Sequence, residues 1–357
     1  MQPIDTHSTA APPPPRRQAE IARERSRAGR VALFAAAMVW LVCARAIAAS
    51  AANGLARRFE LTDTEPLLQA VLLLFLAVVG IALLHSIEHR GGRLREALGL
   101  PARETSREEW LTGAAMGWGL AVASVLPMVL GRSLNVQIWN APRAYSLLAL
   151  SLVTLAVLTL AHTILIFGYA LPRLMEATGQ ARATLMLVAV ATVYTALSPV
   201  SYAVPQGTRL LVEMLATLLL CLCWTRTHAV WLAWGLHFAW AASTAVLFGL
   251  PLGGDSSLGS VVDARAAGPV WLTGGAYGPG AAAFSILVLI AAIPVLVRVT
   301  DDYAWEYTRT PILPGGYDVT IAPPAAHVAM EEAAQAASPA LVQIQPLASV
   351  PTERSTD

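Results

Sequence analysis

Eight apolar segments leave this chain few folds to choose from: roughly residues 31–53, 67–88, 110–131, 145–172, 183–204, 209–225, 229–250 and 281–299. Most exceed the roughly 18–20 residues that carry a helix across a hydrocarbon core. A bilayer offers the backbone no hydrogen-bond partner, so only helices or closed barrels can cross it. The runs lack the alternation of barrel strands. The expected fold is therefore all-α, a polytopic membrane helical bundle of about eight transmembrane helices. Composition agrees, because only 13% of the residues are charged and 56% are hydrophobic. Soluble domains carry about 25% charge.

Polar tails flank the bundle. Residues 1–30 are rich in Pro and Arg, with Pro12 to Pro15 in a row, and read as a disordered tail. Residues 300–357 are rich in Ala and Pro and read as a second one. The membrane domain is then 31–299. Ala46-Ile47-Ala48 has the form of a signal-peptide cleavage site, but the polar tail before it is too long for an n-region, so this run reads as the first span.

All 24 basic residues are Arg, which reads as the codon bias of a GC-rich genome. With the N-terminus inside, the inner segments hold 17 Arg and the outer ones six: Arg57, Arg58, Arg132, Arg143, Arg209 and Arg265. That asymmetry places both termini in the cytoplasm of a multi-pass protein, expected in a bacterial inner membrane. The net charge of +1 implies no nucleic-acid partner, and the lipid bilayer is the first partner. Cys43, Cys221 and Cys223 lie in apolar runs and read as small buried hydrophobes without a disulfide framework.

Ionisable groups inside a span are costly and mark function by default. Arg45 and Glu213 read as lying near the outer ends of their helices, within snorkelling reach of the interface. His85, Glu88 and His89 read as an inner interfacial cap. His162 and His237 differ. At about 1.5 Å per residue both fall in the inner half of the bilayer, at similar depth, which makes a shared site a candidate beside simple packing. Two histidines hold a metal only with a third ligand, and no carboxylate is evident at that depth.

Several stretches resemble the CPBP family, also called the Abi or type II CAAX prenyl endopeptidase family of polytopic intramembrane proteases. His162 to Leu174 ends in Gly168-Tyr169-Ala170-Leu171-Pro172-Arg173-Leu174, similar to the family's run after Glu-Glu-x-x-x-Arg-Gly. Tyr194 to Ser198 falls where the family shows Phe-x-x-x-His, and His237 to Ala241 where it shows His-x-x-x-Asn. The most specific match is the late outer loop, Gly268-Pro269-Val270-Trp271-Leu272-Thr273-Gly274-Gly275-Ala276-Tyr277-Gly278-Pro279-Gly280. Leu98-Gly99-Leu100 is a weaker one. The resemblance covers roughly residues 95–299 and implies a CPBP-like core.

It also implies where the chemistry should lie, and there the chain departs from the family. The paired glutamates fall on His162 and Thr163, the arginine on Phe167, the second-motif histidine on Ser198, the asparagine on Ala241 and the loop glutamate on Gly280. His237 alone is retained. In the family the glutamate is thought to activate a water against a peptide carbonyl, which requires a base of suitable pKa and a group to stabilise the oxyanion. Thr163 and Phe167 supply neither. The first expectation is a catalytically degenerate homologue, a membrane scaffold or binding protein for a membrane or lipidated peptide partner, with no cofactor. The second is an active endopeptidase with a rearranged site on His162, Ser198 and His237, which could use a divalent metal. The third is a transporter-like protein, although no repeated pair of broken helices is evident. The outer loop 251–280 is Gly-rich yet holds Trp271, Leu272 and Tyr277, so it is expected to fold back onto the bundle.

Overall fold

The computed structural model describes residues 16–88, 93–138, 142–198, 200, 204–255, 258–303, 329–330 and 332–333. The chain divides into a unit of residues 1–301 and a separate unit of residues 302–357. The first unit is an all-α bundle with one small ribbon.

Helices α1 (Arg16–Phe59) and α2 (Glu65–Ile87) form an antiparallel pair. Ala44, Ala48, Ala52 and Ala56 recur every fourth residue on the buried face of α1. Small side chains let backbones approach where lipid supplies no hydrophobic driving force. Gly80 of α2 is filled by the indole of Trp40, whose Nε1 donates to the Leu76 carbonyl at 2.9 Å. The α1 helix starts at Arg16, inside the segment read as a disordered tail, and runs without a break to Phe59.

A short α3 (Leu94–Ala97) leads into α4 (Ser106–Leu130). After it, α5 (Pro142–Thr163), a π-helical stretch Ile164–Ala170 and α6 (Leu171–Thr178) form one continuous rod. Helices α7 (Gln180–Leu197) and α8 (Gln206–Thr227) follow, then α9 (Trp231–Ala242), which ends in a second π-helical stretch, Ser243–Leu247. A single turn, α10 (Val270–Thr273), precedes α11 (Ala283–Val299). Six helical stretches are long and apolar enough to cross a membrane: Ser26–Phe59, Glu65–Ile87, Ser106–Leu130, Tyr145–Thr178, Gln180–Leu197 and Gln206–Thr227. The α9 helix with its π stretch and the shorter apolar α11 complete the bundle.

The tightest seam joins α4 to α9. A Cβ on Gly113 or Gly117 would strike the carbonyl oxygens of Leu232 or Leu236, and one on Gly235 would strike that of Trp110. These three glycines let the two backbones touch.

One end of the bundle carries strands β1 (Leu134–Ile138) and β2 (Val262–Ala266), antiparallel with Leu134 opposite Ala266 and Ile138 opposite Val262. The apolar-run reading foresaw no strand. Loop 251–280 does fold back: the amides of Ala267 and Gly268 donate to the Ser133 carbonyl, and Thr208 Oγ1 donates to the Ala281 carbonyl. Trp271 is 57% exposed at this end. The opposite end carries Arg103, Arg173 and Arg226, each tied across elements.

Candidate functional site

His162 lies at the middle of the 34-residue stretch Tyr145–Thr178, two residues before the helix widens into its π stretch. His237 lies on α9, which also passes into a π stretch. Single π turns inside α-helices recur at functional sites. Two contacts bracket the pair. Towards the ribbon end, Leu155 of α5 packs with Ala241 and Ala242 of α9. Towards the arginine end, Gly168 meets Val230, whose amide donates to the Gly99 carbonyl at 3.0 Å. Both histidines fall between these contacts, at one level of the bundle and within electrostatic reach of each other. Trp234 Nε1 donates to the Ala156 carbonyl at 3.1 Å and ties the two helices together.

Nε2 of His162 and Nδ1 of His237 are buried without a hydrogen-bond partner. Buried polar atoms are nearly always paired, so two unpaired nitrogens at one level call for an explanation.

The other residues singled out in the sequence do not join them. Thr163 is fully buried, and its hydroxyl donates to the Thr159 carbonyl at 2.7 Å. Phe167 is buried in the core, and Ala241 packs beside Leu155. Ser198 caps α7 at the ribbon end: its hydroxyl donates to the Tyr194 carbonyl at 2.8 Å and its own carbonyl accepts from Arg209 Nη2 at 3.4 Å. A triad of His162, Ser198 and His237 is thus not assembled, because α7 reaches its end long after passing the histidine level. Among the described residues no group of three or more His, Cys, Asp or Glu is placed to hold a metal ion.

The motif residues outside the histidines act as joints. Leu98-Gly99 turns against Gly168, where a Cβ would meet the Leu98 carbonyl. Arg173 reaches back to Glu88, with Nε and Nη2 at 3.0 and 2.9 Å from one carboxylate oxygen. Glu88, read as an interfacial cap, is therefore half of a buried ion pair; His89 lies outside the described residues. Tyr277 of the outer loop receives the Arg209 guanidinium over its ring at 5.1 Å, and Arg209 Nη1 donates to Gln206 Oε1 at 3.2 Å. Cys221 and Cys223 are buried as expected, while Cys43 is exposed on α1.

Arg45 lies near His162, which sequence reading missed. Because α1 continues to Phe59, Arg45 sits roughly 20 Å from that helix end at about 1.5 Å per residue, and not near the end of its helix. Ala44 and Ala48, on either side of Arg45, pack with Ala161, the residue before His162. Arg45 is within electrostatic reach of both His162 and Glu213. Glu213 Oε1 accepts from Thr217 at 3.3 Å one turn further along α8. The apolar run that ends near residue 53 hid this depth, since Arg57 and Arg58 look like an interface and are still helical.

No family model matches this chain, and neither a curated protein nor a solved structure matches it.

Proposed function

We propose that this chain is a multi-pass membrane protein with a CPBP-like core whose central histidine site binds a ligand and does not hydrolyse peptides. The observation that carries this reading is the pair of buried, unpartnered imidazole nitrogens on His162 and His237. The pair stands without a carboxylate to act as base: the adjacent hydroxyl of Thr163 is spent on the backbone and Ser198 is engaged elsewhere. General-base catalysis needs a group within hydrogen-bond reach of its proton, and oxyanion stabilisation needs aimed donors. A site of two imidazoles without a carboxylate or a free hydroxyl beside it lacks the family's base and oxyanion arrangement and keeps N–H donors for a bound group. In this reading the core crosses the membrane eight times, the α9 rod and α11 included, with both termini in the cytoplasm of a bacterial inner membrane.

The test is turnover. Full-length protein in detergent micelles, incubated with prenylated and unmodified apolar peptides with and without zinc, is expected to give no cleavage product by mass spectrometry. His237→Ala is expected to alter stability or ligand retention only. Cleavage that vanishes in both His162→Ala and His237→Ala would establish the peptidase instead. Reporter fusions at residues 260 and 300 are expected to give external and cytoplasmic signals; the same side for both would remove the eight-pass topology.

A further inference from the structure

Arg45 is the charge that nothing in the bundle explains. It is exposed at mid-height on the Ser26–Phe59 stretch, on the side of the α1–α5 contact marked by Ala44, Ala48 and Ala161. Among the described residues it makes no hydrogen bond or ion pair. Its guanidinium presents five N–H donors and stays charged at any physiological pH. Glu213 is near enough to feel Arg45 but, among the described residues, forms no ion pair with it and accepts a hydrogen bond from Thr217. Arg209, the other cation near Glu213, is already occupied by Gln206, the Ser198 carbonyl and the Tyr277 ring. Beside Arg45 stands His162, with His237 in turn within reach of His162, and each imidazole has a buried unpaired nitrogen able to donate one N–H in the matching tautomer.

A cation with free donors on a membrane-length helix, with one neutral donor beside it and a second behind that, is complementary to one oxyanion. The exposure of Arg45 on the outer surface of a membrane bundle means the ligand can arrive through lipid. We propose that Arg45, with His162 and His237, forms a lateral site for the single anionic head of a lipid-embedded amphiphile, an acyl chain ending in one carboxylate or comparable oxyanion. The apolar tail remains in the bilayer while the head is drawn inward along α1. The site rests on the binding reading above only through the two histidines; Arg45 supplies the charge recognition by itself.

Native mass spectrometry of the full-length protein in neutral detergent tests this, with oleate, methyl oleate and acetate as probes. Wild-type protein is expected to retain one oleate and to ignore methyl oleate, which has the same tail without the charge. Arg45→Gln is expected to weaken oleate retention by about tenfold or more, as loss of a charge-assisted contact implies. Arg45→Lys should fall between, since a point charge replaces the planar fork. His162→Ala and His237→Ala should each weaken oleate by a smaller factor. Equal retention of methyl oleate, or full retention by a monodisperse Arg45→Gln, would overturn the proposal. Should Arg45→Gln not fold, the acid-to-ester comparison on wild-type protein decides alone. Acetate displacing oleate at equal concentration would overturn the lipid source. Unchanged oleate binding in both histidine variants would remove the histidines from the site and, with them, its link to the binding reading. Peptide turnover that persists in Arg45→Gln would sink the binding reading while leaving the Arg45 site intact.

Discussion

Two arginines in this bundle meet opposite surroundings. Arg173, at the arginine end, is 9% exposed, clasps Glu88 through two nitrogens and lies 4.9 Å from the Tyr169 ring centre. A further ion pair joins Glu176 to Arg30 at 3.2 Å. Arg45, midway along the Ser26–Phe59 stretch, is exposed and, among the described residues, holds no such partner. In a low-dielectric setting a buried charge persists only when paired, so the Arg173 cluster fastens α6 to α2. An exposed charge without a partner is not needed to join helices and is free for a group arriving from outside, as proposed above. The contrast separates an arginine that holds helices together from one proposed to hold a ligand.

The largest expected effect comes from breaking the paired region. Glu88→Ala removes the nearest carboxylate from Arg173, leaving Glu176 at 3.8 Å, and should cost up to about 3–5 kcal/mol, read as a drop in thermal unfolding temperature in detergent. The double change Glu88→Leu with Arg173→Met removes both charges and should recover most of that loss. A double variant as unstable as the single would show that the pair is not the fastening. The α4–α9 seam offers an uncharged reference: Gly117→Ala should cost about 1–3 kcal/mol, because its Cβ meets backbone and the seam cannot yield. Arg45→Gln should shift stability by no more than about 0.5 kcal/mol while weakening oleate retention about tenfold or more. Destabilisation equal to that of Glu88→Ala would erase the distinction between the two arginines.

The smallest effect is a pH dependence at the arginine end. His228 ends α8 in the left-handed region at φ 49 and packs edge-on against Trp224 with ring centres 4.9 Å apart. Partial burial, and then the nearby Arg103, hold its pKa below the usual 6.5. The unfolded chain then takes up a proton before the folded one does, so stability is full above about pH 6.5 and declines as pH falls from there towards the lowered value. His228→Asn keeps a residue that tolerates positive φ and should flatten that decline in an unfolding series from pH 7.5 to 5.5. A decline of equal slope in the variant would assign it to another group.

The histidine pair was legible in the sequence because helical rise converts position into depth, and two residues on separate spans can be compared that way. The same reckoning misplaced Arg45, since it took the end of the apolar run for the end of the helix. Arg57 and Arg58 extend α1 to Phe59, and no rule of hydropathy says that a polar residue stops a helix. Ser198 illustrates the opposite limit. Its place in a motif-like stretch suggested company with the histidines, but the chain leaves α7 there and spends the hydroxyl on Tyr194. The ribbon of β1 and β2 was invisible because its strands come from loops far apart in sequence, and neither loop carries a strand pattern strong enough to stand without the other.

The sequence by itself determined that this protein is an all-α membrane bundle. Backbone hydrogen bonds must be closed within each segment in lipid, so apolar length alone dictates the helices. It also determined that the polar residues of any site must be few. Only the tertiary structure decided which of them meet. Glycines at 113, 117 and 235 set how closely α4 and α9 approach, and small residues at 44, 48 and 161 set how α1 meets α5. Those approaches bring Arg45, His162 and His237, residues on three different helices, to one level. The physical reason is that periodicity fixes a side chain's face and depth along its own helix, while the angle and distance between helices come from packing that no single helix encodes.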